Sequence, residues 1–466
     1  MSQGPPSQAQ PLSPRKESLT EQYPNLRAVL ILSGSFFVLF MAFFSAANSA
    51  SKALKDSGFG SLGFFSLSML YLNFGLASLW TPRIIKRLDA KLGMVVASLF
   101  YALWIISLAM TTAALKSEAI SAMLSYNAVV VIVLSISFVS GAGCSMLWIA
   151  QGKYLSDCAE AKPAKKGFYN SLFWFTMFLA QVSSSLLNAF VLGSFSQVAY
   201  LFVISTGICI LSTICLLVFL PDIRSQKMPA TTQQSQQSDV TMWSMMGENR
   251  MIQVYGLLLC QALSLAIRQG GMVPFISDTI QSTDTQEQFK LASLASAMFG
   301  IGQLVGSPMV GYVNDHLGGG QAVARTCLVV HLLAYSITIV YNEIHSFGFL
   351  SFVVTFLFGM QDAALQTQVT IVLGFEFRTN VEPFAIYRLL NSLAISGGMA
   401  GLAFIIDINK YRVMFCICFL ITLGAQGIMA FKFAFQNRKT QRVMIYEEVK
   451  QQELQEFLPE SDKPQQ

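Results

Sequence analysis

Seven residues that could bind a polar ligand lie inside long apolar stretches of this sequence. They are Asn48, Gln151, Gln261, Arg268, Asp362, Gln366 and Arg388. Amide and charged groups are costly in lipid, so inside a membrane they usually face protein or water. The spacing of Asp362 and Gln366, four residues apart, places both on one face of a helix. These residues predict a central polar cavity; in the plainer interpretation they only join neighbouring helices.

Catalytic chemistry has no comparable signal in the sequence. No nucleophile and base, and no His/Cys cluster, occur with the spacing that a catalytic or metal site requires. The three histidines, His316, His331 and His345, are far apart and are predicted to be structural. We therefore expect a protein that is not an enzyme and that carries neither a metal nor another cofactor.

The composition indicates which elements position these polar residues. Of the 466 residues, 53% are hydrophobic and only 12% are charged, whereas soluble domains carry roughly 25% charged residues. The apolar residues occur in blocks of roughly 20, the length that an α-helix needs to cross about 30 Å of hydrocarbon. Twelve such blocks predict an all-α membrane protein. The expected partner is therefore the lipid bilayer, and nothing supports nucleic-acid binding.

The predicted spans form two groups of six with a polar segment between them, a layout common among transporters. We predict a disordered cytoplasmic tail over residues 1–27 and a cytoplasmic tail over 436–466. The two six-helix halves are predicted at 28–220 and 251–435, joined by a cytoplasmic linker at 221–250.

The distribution of basic residues predicts the orientation. With the N-terminus inside, 22 of the 30 Lys and Arg residues fall on the cytoplasmic side and six in the outer loops. This bias follows the positive-inside rule. A multi-pass protein with both termini in the cytoplasm is therefore expected.

One loop of the second half has a recognisable spacing. Gly311, Asp315 and Gly318 form a G-x3-D-x2-G pattern between the eighth and ninth predicted spans. Glycine permits a tight turn, and the acid can hydrogen-bond to a neighbouring helix N-terminus. This spacing resembles the loop signature of the major facilitator superfamily.

Three longer segments point to one branch of that superfamily. Residues 147–155 read LWIAQGKYL, residues 359–368 read GMQDAALQTQ, and residues 384–393 read FAIYRLLNSL. These resemble the conserved segments of the uncoordinated-93-like family, and most closely its small major-facilitator-domain-containing members. The weaker resemblance extends from the first span through the twelfth. Asp89 departs from the pattern, because the family usually has Gly there, and Arg268 is not part of the pattern.

The resemblance implies the major facilitator superfamily fold, with twelve transmembrane helices in two pseudo-symmetric halves. It also implies that spans 1, 4, 7 and 10 line a central cavity. Six of the seven polar residues named above belong to these four spans, and Arg388 belongs to the eleventh.

Two functions follow as alternatives. The resemblance implies an auxiliary or regulatory protein of ion-channel or other membrane-protein complexes. The common use of the fold implies a secondary transporter of a small solute, coupled to protons or ions. Asp362 is the single carboxylate placed deep in a span, and Arg388, one to two turns closer to the cytoplasm, is its candidate ion-pair partner. One deep acid gives thin support for proton coupling, so the sequence favours the auxiliary role.

The C-terminal tail contains a short sorting pattern, Tyr446-x-x-Val449, of the Tyr-x-x-apolar kind that adaptors bind. Such patterns are common, so the signal is weak. The sequence leaves open whether the protein resides in the plasma membrane or an endolysosomal membrane.

Overall fold

The chain folds into a bundle of long helices. The structure, a computed structural model, describes residues 23–114, 125–159, 166–194, 198–223, 242–377, 382–405 and 407–435. The sequence features at Tyr446 and Val449 lie outside them. Twelve long helices occur in the described ranges: α1 Leu26–Phe59, α2 Leu62–Ala77, α3 Ala90–Ala114, α4 Tyr126–Ala159, α5 Lys166–Ser194, α6 Ala199–Val218, α7 Asn249–Asp278, α8 Thr285–His316, α9 Gly319–Ile344, α10 Phe349–Glu376, α11 Glu382–Leu402 and α12 Ile408–Lys432.

Most of these helices can cross a membrane. By length and composition, ten candidate spans are found in the described part of the chain. The two long helices outside that set are α2, which has only 16 residues, and α11. Helix α2 ends at Ala77, the chain turns at residues 78–80, and Pro82 lies in the first turn of the short helix Thr81–Leu88 that follows. Proline is tolerated in a first helical turn, where no intrahelical donor is needed.

The two halves repeat one packing scheme. In the first half α1 packs on α5 and α6, α2 packs on α4, and α3 packs on α4 and α6. Each pair recurs six helices later: α7 packs on α11 and α12, α8 packs on α10, and α9 packs on α10 and α12. The halves meet where α2 packs on α11 and α5 packs on α8. This correspondence is the pseudo-twofold relation of two six-helix repeats.

Glycine allows the closest contacts within each half. A Cβ atom on Gly302 of α8 would lie 2.0 Å from the Phe356 carbonyl oxygen of α10. One on Gly141 of α4 would lie 2.2 Å from the Leu70 carbonyl oxygen of α2, in the helix pair of the first half that corresponds to α8 and α10. Membrane helices use such small residues to bring backbones together.

Helix α7 changes geometry toward its C-terminal end. Residues Ile267–Gly271 form one wide π-helical turn, closed by the Met272 N–H donating to the Ile267 carbonyl. The helix then continues through Pro274 to Asp278. Gly270, Gly271 and Pro274 lie so close together that the sequence favours a break in the helix here. Instead the helix stays continuous, with its one wide turn immediately before the turn that contains Pro274.

The turns after α8 and after the short helix Thr81–Leu88 are related by the same repeat. Gly318 has φ 125° and Gly319 has φ 71°, so these two glycines make the predicted turn, whereas Gly311 lies inside α8. In the first half the equivalent turn residue is Asp89, which has φ 68° although it carries a side chain. The backbone of Asp315 is helical, and its side chain lies outside the described part of the structure.

Candidate central binding cavity

A cavity of about 100 Å³ lies between the two halves. This is several times the roughly 10–15 Å³ that one water molecule requires by the same kind of measure. Helices α1 to α5 border it from the first half, and α7, α8, α10 and α11 border it from the second.

The two halves contribute chemically different walls. The first half supplies an aromatic wall formed by Phe40, Phe43, Phe44, Tyr71, Phe74, Tyr101, Trp148, Trp174 and Phe178. The second half supplies a polar wall, which contains every charged and amide side chain among the lining residues: Gln261, Arg268, Gln269, Gln303, Asp362, Gln366, Arg388 and Asn391. The cavity is therefore amphipathic across the interface between the halves.

Asp362 of α10 is part of the polar wall and is 3% exposed. Its Oδ1 accepts a hydrogen bond of 3.0 Å from the Ser264 hydroxyl of α7, and its Oδ2 accepts one of 2.9 Å from the Gln303 amide of α8. Ser264 in turn accepts from the Gln361 amide at 3.1 Å. Neutral donors from two neighbouring helices thus satisfy the carboxylate.

Arg268 projects from the wide turn of α7. Its guanidinium carbon lies 5.1 Å from the ring centroid of Phe44 and 5.8 Å from that of Phe299. Its Nη1 donates to the Gln181 side chain at 3.3 Å, while its Nε has no partner among the described residues. Aromatic faces stabilise a guanidinium, but they leave its N–H groups available.

Arg388 lies on α11 against the aromatic wall. Its guanidinium carbon is 5.5 Å from the Trp148 ring centroid and 5.7 Å from that of Tyr387. Trp148 also stacks on Trp174, with centroids 5.7 Å apart and planes inclined by 18°. The ion pairs of the described residues include neither Arg388 nor Arg268 nor Asp362.

Five of the seven polar residues predicted from the sequence line this cavity: Gln261, Arg268, Asp362, Gln366 and Arg388. Asn48 and Gln151 are buried in α1 and α4 but are not among the lining residues. The ion pair that the sequence suggested between Asp362 and Arg388 is not formed. Ser264 and Gln303 donate to the carboxylate instead, and the Arg388 guanidinium lies against Trp148 and Tyr387.

Sequence reasoning missed the aromatic wall and three of the polar residues, Gln269, Gln303 and Asn391. Aromatic residues are so frequent in this chain that no periodic signal separates those facing the cavity from those facing lipid. A signal did exist for Gln303, which is a lone amide in the apolar run of α8, and for Gln269, which follows Arg268. Gln269 accepts a 2.5 Å hydrogen bond from the Tyr71 hydroxyl across the interface.

Hydrogen bonds between the halves concentrate on the side of the bundle away from the termini. Ser68 of α2 and Ser396 of α11 each donate to the other's backbone carbonyl at 2.9 Å. Nearer the end, the Ser61 hydroxyl donates to the Ala403 carbonyl at 2.8 Å, and the Lys52 ammonium donates to the Gln288 side chain at 3.4 Å. These contacts join the halves between the cavity and that end.

Comparison with known proteins agrees with this architecture. The chain is 23% identical over 452 residues to protein unc-93 homolog A of Mus musculus, covering 86% of this chain and 92% of that protein. It is 22% identical over 454 residues to UNC93-like protein MFSD11 of Xenopus laevis, covering 87% and 95%.

Solved structures share the fold at low sequence identity. The D-xylose-proton symporter superposes with a TM-score of 0.66 at 14% identity, and a mutant of the nucleoside transporter NupG superposes with 0.58 at 15%. Both alignments cover 87% of this chain and 98% of the other. The family model of the Major Facilitator Superfamily matches residues 117–381. This multi-pass membrane protein therefore belongs to the Major Facilitator Superfamily, and within it resembles the UNC93-like proteins.

Proposed function

We propose that the protein is a secondary transporter that moves a small solute through the central cavity by alternating access. The observation that carries this proposal is the cavity itself. It lies between two repeated halves, and its three charged residues, Arg268, Asp362 and Arg388, form no ion pair with one another. Transporters place their substrate sites at such an interface between repeats.

The contacts between the halves support this mechanism. The reciprocal Ser68–Ser396 hydrogen bonds and the Ser61–Ala403 bond are few and polar, so they can be exchanged for water at low cost. Rocking of one half against the other would break them and open the cavity on the side away from the termini. With the termini in the cytoplasm, these contacts join the halves on the outer side of the cavity.

The auxiliary role remains a second candidate, supported by the similarity to UNC93-like proteins over most of the chain. An auxiliary protein needs a surface for its partner but has no need to expose the cavity alternately to both sides. Access to the cavity therefore separates the two functions without knowledge of the substrate.

The test uses the Gln366→Cys variant in a background whose native cysteines are replaced. A membrane-impermeant thiol reagent is applied from the side away from the termini. We expect slow labelling that stops when an added Ser68→Cys/Ser396→Cys pair is oxidised. Ser396→Cys alone, which cannot cross-link, is the matched control. Absence of labelling from that side in every variant, with normal labelling from the other side, would overturn the transport proposal.

A further inference from the structure

We propose that the cavity binds a small aromatic monocarboxylate, with its carboxylate held by the arginines of the polar wall and its ring against Trp148 and Trp174. This inference rests on the proposed function, since it names the substrate class of that transporter. It is drawn from the charge balance and the shape of the two walls.

The charge balance of the lining favours an anion. Two guanidinium groups and one carboxylate line the cavity, which leaves one positive charge in excess. The Asp362 carboxylate is engaged by neutral donors, so it does not compensate either arginine directly. An uncompensated charge away from water is costly. One anionic group on the ligand would neutralise this excess positive charge. A cation would increase the excess charge, and a neutral solute would leave it unchanged.

The free donors favour a carboxylate. No hydrogen bond involves the Arg388 guanidinium among the described residues, and the Nε atom of Arg268 is buried without a partner. Guanidinium groups present a planar fork of N–H donors that matches a carboxylate, often with two parallel hydrogen bonds. The cation–π contact with Trp148 holds the Arg388 guanidinium in place before the ligand arrives, which reduces the entropy lost on binding.

The opposite wall favours an aromatic body. Trp148, Trp174 and Phe40 form a continuous surface, with Trp148 centred 5.7 Å from Trp174 and 5.2 Å from Phe40. Aromatic side chains of this kind pack against planar ligands in edge-to-face or offset arrangements. A simple inorganic anion would leave this wall unused, and the cavity volume restricts the ligand to a small molecule.

The test measures thermal stabilisation and affinity of the full-length protein in nanodiscs with ligands matched in shape. Benzoate supplies the anion, benzamide a neutral analogue, and benzylamine a cation. We expect benzoate to raise the melting temperature, and the other two to have little effect. Acetate tests the carboxylate without the ring, and octanoate tests a fatty acid from the bilayer. Equal binding of benzamide would overturn the carboxylate assignment, and tighter binding of acetate or octanoate would overturn the aromatic assignment.

Two substitutions with opposite expected effects on benzoate affinity separate ligand recognition from folding. Arg388→Gln should weaken benzoate binding about ten- to hundredfold, the range expected for losing hydrogen bonds to a charged group. Asp362→Asn should tighten it, because the negative charge facing the ligand is removed. Arg412→Gln, at an exposed arginine paired with Glu343, is the control and should leave affinity unchanged. If Arg388→Gln does not fold, Arg388→Lys, which keeps the charge and loses the fork, serves instead.

The two proposals fail separately. Benzoate binding that depends on Arg388, together with one-sided cysteine labelling, would uphold the anion site and overturn transport. Two-sided labelling with affinity for benzoate that neither Arg388→Gln nor Asp362→Asn changes would uphold transport and overturn the anion site.

Discussion

The Gln303 side chain of α8 donates a 2.9 Å hydrogen bond to the Asp362 carboxylate of α10. The bond joins two cavity-lining residues across α8 and α10, the most extensively packed helix pair of the second half. Hydrogen bonds to a buried charge are worth about 1.5–3 kcal/mol. Gln303→Leu should therefore lower the unfolding free energy by about that amount in detergent. The cost should shrink in an Asp362→Asn background. Equal costs in both backgrounds would show that the bond to the charge contributes nothing.

Asp362→Asn is predicted to stop solute movement while leaving expression and folding nearly normal. Asparagine keeps the shape: its amide oxygen can still accept from Gln303 and its NH2 group can donate to the Ser264 hydroxyl. It carries no charge, however, and cannot take up and release a proton. A more tightly held anion would also be released more slowly. The measurement is uptake into proteoliposomes alongside the amount of monodisperse protein. Wild-type uptake by the Asn variant would contradict a functional role of this charge.

Close packing between α8 and α10 predicts a strong effect of a single methyl group. Gly302→Ala should destabilise the protein by about 1–3 kcal/mol, since the new Cβ would meet the Phe356 carbonyl at 2.0 Å and the backbones would have to separate. Gly397→Ala on α11 is the control, because nothing lies within 4 Å of its Cβ position. Thermal denaturation in detergent should show a loss for the first variant, and no change or a small gain for the second.

The backbone of Asp89 predicts a stabilising substitution. At φ 68° and ψ 153° this residue occupies a region that only glycine adopts without strain, which costs on the order of 1–3 kcal/mol. Asp89→Gly should add about 1 kcal/mol of stability, because relief of strain exceeds the roughly 0.4–1 kcal/mol of extra unfolded-state entropy of glycine. Asp89→Ala retains the strain and should show no gain. Equal melting temperatures for the Gly and Ala variants would contradict this explanation.

Both termini are predicted to lie in the cytoplasm, on the basis of the Lys and Arg distribution. Cysteines introduced in residues 221–250 or in either tail should resist impermeant thiol reagents in intact cells and react after permeabilisation. A cysteine in the loop between α9 and α10 provides the opposite control. Labelling of a tail in intact cells would reverse the orientation, and the contacts between Ser68 and Ser396 would then lie on the cytoplasmic side of the cavity.

The sequence alone determined the environment, the two-part layout and much of the polar wall. Apolar blocks of membrane length can form only helices in lipid, because every backbone N–H and C=O must be satisfied within the segment. Buried charges are so costly there that Arg268, Asp362 and Arg388 stand out among the apolar residues around them. The same reasoning selected Asn48 and Gln151, which the structure places away from the cavity, because cost in lipid does not reveal which protein surface a side chain faces.

Only the tertiary structure decided which groups meet. Depth along two helices paired Asp362 with Arg388, but the packing of α7, α8 and α10 supplies Ser264 and Gln303 to the carboxylate and leaves the arginines to aromatic rings. The division into an aromatic wall and a polar wall was likewise invisible in the sequence. The lining residues come from nine helices. Contacts between helices far apart in the chain depend on the rotation and tilt of each helix. Helices that are hydrophobic around their whole circumference carry no local sequence pattern that encodes this rotation and tilt.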